Sequence, residues 1–130
     1  MSVRSLLAIS ALALTACGGG DEGAKPDAPK PVDAQGATVM TVTCPATVAN
    51  TITTQAISFD KPNVTIARDE IVKFVSTPTH PIGPFRGDAS MTDPGIVVPE
   101  NQTRCLKFTA AGTFKYICTV HFYLGTITVN

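Results

Sequence analysis

His80, Cys118 and His121 are the residues of this chain whose types and spacing could do chemistry. They are its only two histidines and a cysteine that precedes one of them by three positions. A thiolate with two imidazoles favours copper in a trigonal arrangement, because the soft sulfur accommodates Cu(I) and the imidazoles accommodate both oxidation states. Taken singly, each residue also has an ordinary explanation. A Cys-x-x-His pair arises by chance, a buried cysteine is usually an inert core residue, and a histidine in a proline-rich loop is usually solvated. Zinc could use the same three groups, but a structural zinc site wants four protein ligands and no fourth lies close in sequence. A Cys118 nucleophile beside an imidazole lacks a recognisable oxyanion motif or a third orienting group, so enzymatic chemistry is not expected.

The elements that must position these residues read as strands. From Ala37 onward the chain is rich in Val, Ile and Thr and alternates with a period of two, with no convincing helix. Strands are expected at Thr38 to Thr43, Gln55 to Phe59, Val64 to Ala67, Ile71 to Ser76, Ile96 to Val98, Arg104 to Thr109, Thr113 to Cys118 and Gly125 to Val129. Turn signals such as Asp60-Lys61-Pro62-Asn63 and Thr92-Asp93-Pro94-Gly95 separate them. Short strands at this spacing predict an all-β sandwich or small barrel. Alternation turns Val72 and Phe74 inward on one strand, and sets Phe114 and Tyr116 opposite Thr113, Lys115 and Ile117 on another. Thr77 to Gly95, with four prolines and three glycines, is a long connection of the sort that carries function, and it holds His80.

Gly112-Thr113-Phe114-Lys115-Tyr116-Ile117-Cys118-Thr119-Val120-His121 resembles the Gly-x-(Phe/Tyr)-x-(Tyr/Phe)-x-Cys-x-x-His signature of the cupredoxins, the plastocyanin- and azurin-like type 1 blue-copper domains. Gly125-Thr126-Ile127-Thr128-Val129 is similar to their chain ending, and Ile71-Val72-Lys73-Phe74 followed by His80 is similar to their upstream strand and first ligand. The similarity runs from about Phe59 to Asn130. It implies an antiparallel Greek-key β-sandwich holding copper through His80 on the buried side, Cys118 as thiolate, and His121 nearer solvent. One departure stands out. Plastocyanin-like loops place an axial Met after the second His, where this chain has His121-Phe122-Tyr123-Leu124-Gly125 and no later Met than Met91. Leu124 takes the axial place as a non-coordinating residue, and an apolar side chain there favours Cu(I) and raises the reduction potential. The alternative is a domain that keeps the fold but binds copper weakly or not at all.

The start of the chain is of another kind. Residues 1–16 carry Arg4 and the apolar run Leu6 to Leu14, an export signal too short to span a bilayer as a mature helix. Leu14-Thr15-Ala16-Cys17 resembles the bacterial lipobox, which implies a Cys17 acylated and anchored in a lipid membrane. An ordinary secretory signal with a chance cysteine is the competing reading. Residues 17–36 have no aromatic residue and a single branched aliphatic, Val32, so they read as a flexible Gly/Pro tether ahead of a domain over 37–130. With Cys17 acylated and Cys118 on the metal, Cys44 and Cys105 remain, and an oxidising compartment favours their pairing over two free thiols.

Ten basic side chains, less Arg4 in the leader, leave nine against ten acidic ones, and no basic run or phosphate-cradling loop suggests nucleic acid. The leading expectation is a monomeric one-electron carrier in the bacterial periplasm or at the cell surface. It would exchange electrons with a redox partner protein through a patch around His121, Phe122 and Tyr123. Gly18 after the lipidated cysteine leans toward the outer membrane. Copper storage or delivery without redox turnover is a second reading, disfavoured by the absence of Met-rich or His-rich tracts. A metal-free β-sandwich interaction module is a third.

Overall fold

The computed structural model describes residues 37–130, so the export signal, Cys17 and the tether expected over 17–36 lie outside the described residues. Eight strands form: β1 (Val39–Val42), β2 (Asn50–Thr53), β3 (Asn63–Ile66), β4 (Ile71–Val75), β5 (Ile82–Pro84), β6 (Thr103–Phe108), β7 (Gly112–Cys118) and β8 (Leu124–Val129). They make two four-stranded sheets ordered β1-β6-β4-β2 and β3-β8-β7-β5. Most ladders are antiparallel, while β2 runs parallel to β4 and β3 parallel to β8. Parallel neighbours need a crossover, and the chain supplies it by placing β3, in the other sheet, between β2 and β4.

The period-two pattern reads directly as burial. Val72 and Phe74 of β4 and Tyr116 of β7 have no exposed surface, while Ile71, Lys73 and Val75 are half-buried. Aromatic edges join the two sheets: Phe74 meets Tyr116 at 5.3 Å and Phe108 meets Phe114 at 5.3 Å between ring centroids. Each such pair contributes about 0.5–1.5 kcal/mol beyond the area it buries. Gly125 of β8 lies against the Tyr116 ring, and a Cβ there would overlap that ring.

Four local expectations shift. The strand expected at Gln55 to Phe59 lies earlier, at Asn50–Thr53, because Gln55 N bonds Ser58 O at 2.8 Å and closes a turn that leaves Ile57 84% exposed. Ile96 to Val98 forms only one bridge, Val98 to Ile82, with Pro99 following. Within the long loop a strand, β5, and a short 3₁₀ turn at Ala89–Met91 appear instead. Ile117, expected among outward side chains, is buried, since its partners Gly83 of β5 and Leu124 of β8 flank it.

Thr38 fastens the chain where it enters the fold. Its amide and hydroxyl donate to Asp93 Oδ2 at 2.7 and 2.9 Å, and its carbonyl accepts from the Thr109 amide and hydroxyl, each at 2.8 Å. A few residues on, exposed Cys44 is disulfide-bonded to buried Cys105 across 61 positions of sequence. Closing a loop of that length stabilises by about 4 kcal/mol on the chain-entropy account. The double variant Cys44→Ala/Cys105→Ala should therefore lose up to that amount of unfolding free energy and unfold at lower urea. An unchanged unfolding midpoint would contradict the stapling role.

Candidate metal centre

Two ladders bring the centre together. In the β5–β7 register Ile82 faces Cys118, which sets His80, two residues upstream, beside the Cys118 end of β7. The approach is braced. Thr119 N bonds Pro81 O at 2.9 Å, Ser76 Oγ donates to His80 O at 2.8 Å, and Thr77 N donates to Thr54 Oγ1 at 2.8 Å. Thr79, at φ 64°, turns the chain sharply just before His80. The β7–β8 ladder fixes the other side, pairing Ile117 with Leu124 and so confining the return to the six residues between them. Within that turn Phe122 N bonds Cys118 O at 2.8 Å and Cys118 N bonds Tyr123 O at 3.1 Å.

His80, Cys118 and His121 come together with their candidate ligand atoms all within 4.8 Å of one another. Cys118, the one free cysteine among the described residues, is fully buried, His80 is 9% exposed and His121 is exposed. Both imidazoles turn Nδ1 toward the sulfur, at 3.7 Å for His80 and 3.6 Å for His121. An ion about 2.3 Å from sulfur and about 2.0 Å from an imidazole nitrogen would hold those atoms about 3.5–3.8 Å apart, at angles between tetrahedral and trigonal. The spacing therefore fits one shared ion, and the buried thiol sets its depth.

Leu124 opens β8 with 43% of its surface exposed, alternating with Gly125, Ile127 and Val129, which face the core. The residue that closes on the cluster from this turn is Tyr123. Its hydroxyl lies 3.2 Å from His80 Nδ1 and donates to Gln55 O at 2.9 Å. Its ring meets Phe59 edge-on at 4.7 Å and lies within 15° of parallel to His121. Phe122, by contrast, is 73% exposed and sits at φ 60°, a left-handed conformation that costs about 1–3 kcal/mol for a bulky residue. That conformation throws one ring outward and the next inward. In the sequence the two rings looked alike, and only the backbone sign at Phe122 separates them.

The fold has counterparts among solved structures. Amicyanin from Paracoccus versutus (Thiobacillus versutus) matches with a TM-score of 0.57 at 20% identity, covering 72% of this chain and 99% of amicyanin. A reduced Cu(I) form of an amicyanin variant at pH 4 matches with a TM-score of 0.56 at 18% identity, over 72% and 99% of the two chains. An oxidised methionine-to-leucine variant of amicyanin gives 0.56 at 17% identity, with the same coverage. No family model matches the sequence, and neither does any curated protein. The likeness establishes the fold, a cupredoxin β-sandwich over the described residues.

Both tyrosines of the chain titrate abnormally. Burial first, then the neighbouring Cys118 sulfur, raises the Tyr123 phenol above its ordinary value. Tyr116 rises through burial, then the nearby Asp60 carboxylate. A phenol whose folded pKa exceeds its unfolded value binds more protons folded than unfolded, so its stabilisation is complete below about pH 10 and is lost as pH climbs through the folded value. Ultraviolet titration should show neither tyrosine ionising near pH 10, with folding stability declining above it. Ionisation of both at the ordinary pH would contradict this packing.

Proposed function

Starting from a cupredoxin sandwich with a thiol and two imidazoles gathered at one end of β7, we propose that this protein is a mononuclear copper protein that carries single electrons. The convergence of His80, Cys118 and His121 on a common point carries the reading. These three would hold the ion, and Leu124 contributes no donor. Copper at such a centre supplies a one-electron Cu(I)/Cu(II) couple. The chain's own residues supply rigidity. Cys118 is locked in the β7 ladders, and the His80 backbone is tied at its amide and its carbonyl to Thr77 and Ser76, so little must move when the charge changes.

His121 is the ligand open to solvent, and it is the exit for the electron. Exposed Val120 and Phe122 flank it in sequence, at 52% and 73%, forming a small apolar surface suited to a brief encounter with a redox partner protein. The disulfide and the start of the chain support an extracytoplasmic placement. The Cys44–Cys105 disulfide suits an oxidising compartment. The signal over 1–16 and a lipid-anchored Cys17 would hold a monomeric domain in the periplasm or at the cell surface, with the outer membrane favoured. No helix among the described residues is long and apolar enough to cross a membrane.

Adding Cu(II) to the purified protein should give an intense thiolate-to-copper band near ~600 nm, as expected for this ligand set. Cys118→Ser should abolish the band while leaving the protein folded. A folded wild-type protein with no such band would overturn the electron-transfer reading.

A further inference from the structure

The proposed centre has three protein donors, one fewer than a four-coordinate ion takes. Neither methionine among the described residues is placed to supply a fourth. Met40 lies on edge strand β1, 46% exposed, and Met91 sits in the 3₁₀ turn of the long loop. Leu124 has no donor atom and alternates away from the core.

We infer that Tyr123 completes the centre, its phenol oxygen standing as the fourth and weakest donor beside Cys118, His80 and His121. This rests on the copper reading above. The first support is position, since the Tyr123 hydroxyl oxygen lies 3.2 Å from His80 Nδ1, the nitrogen that also faces the Cys118 sulfur at 3.7 Å. Proton direction is the second. The hydroxyl donates to the Gln55 carbonyl at 2.9 Å, on a segment outside the cluster, and a phenol oxygen that donates there still carries lone pairs.

Rigidity is the third support. Phe59 packs against the ring edge at 4.7 Å, the His121 ring lies nearly parallel at 6.4 Å, and the Tyr123 carbonyl is bonded to Cys118 N. A side chain held at ring, hydroxyl and backbone cannot swing away without breaking several contacts.

An oxygen donor differs in kind from a thioether or a bare aliphatic residue. Oxygen is hard, so it stabilises Cu(II) more than Cu(I) and lowers the reduction potential relative to a centre with only three ligands. The apolar Leu124 alone would push the potential the other way.

Tyr123→Phe removes only this oxygen and keeps the ring. In the purified, copper-loaded protein the thiolate-to-copper band should persist with an altered copper hyperfine splitting in its electron paramagnetic resonance spectrum. Cu(II) affinity should fall about tenfold with Cu(I) affinity unchanged, which for one electron raises the potential by about 59 mV. Identical affinities, spectra and potential in variant and wild type would overturn the inference. So would a variant that is merely less stable when metal-free, from the lost Gln55 bond, with an unmoved spectrum and potential. Should Tyr123→Phe fail to fold, Leu124→Met decides: an unchanged potential agrees with Tyr123 holding the fourth place, and a lowered one gives that place to residue 124. A wild-type protein with no thiolate-to-copper band removes the copper reading itself, an outcome distinct from a wild-type band that Tyr123→Phe leaves untouched.

Discussion

Three residue pairs, Ile82 with Cys118, Gly83 with Ile117 and Pro84 with Tyr116, decide where the chemistry of this chain can occur. His80 and Cys118 are 38 positions apart in sequence. Nothing local could bring them together, and the entropy of closing such a loop opposes it. The short β5 ladder offsets that cost with backbone bonds at a site where β7 is already held by β8 on its other side. A one-residue slip of β5 would turn its side chains to the opposite face and carry His80 away from the sulfur. The bonds from Thr119 to Pro81 and from Ser76 to the His80 carbonyl reinforce that register.

Core and centre are one packing problem. Tyr116 touches Phe74 across the sheets, Phe59 touches Tyr116, and Tyr123 touches Phe59, so a chain of edge-on rings runs from the middle of the sandwich to the cluster. Gly125 admits the Tyr116 ring because it has no side chain of its own. Interiors packed at crystal-like density transmit displacement, so the position of the Tyr123 hydroxyl is set by residues well below the surface.

Much of this was legible from residue types. Alternation in Ile71-Val72-Lys73-Phe74-Val75 and Thr113-Phe114-Lys115-Tyr116 located the inward faces, and the Cys-x-x-His spacing with a single remaining histidine pointed to the cluster. What escaped depends on tertiary contacts. Asn50–Thr53 and Gln55 to Phe59 both carry β-forming residues, and only the Gln55–Ser58 turn and the pairing with β4 choose between them. The β5 strand is three residues long, contains Gly83 and Pro84, and exists because β7 needs a neighbour. Tyr123 was visible as one ring among three, yet its inward aim follows from a positive φ at Phe122 that no residue preference announces.

Thr38 has its amide, hydroxyl and carbonyl all engaged, by Asp93 on one side and Thr109 on the other. Any force arriving along the chain from before Ala37 meets this clamp first, then β1, then the Cys44–Cys105 bridge into β6. Load is thus taken up in the sheet that contains β1 and β6, while Cys118 and His121 belong to the opposite sheet and its closing turn. A pull from that side is met by the β1–β6 ladder and the disulfide before it reaches the Cys118 sulfur or the His121 ring.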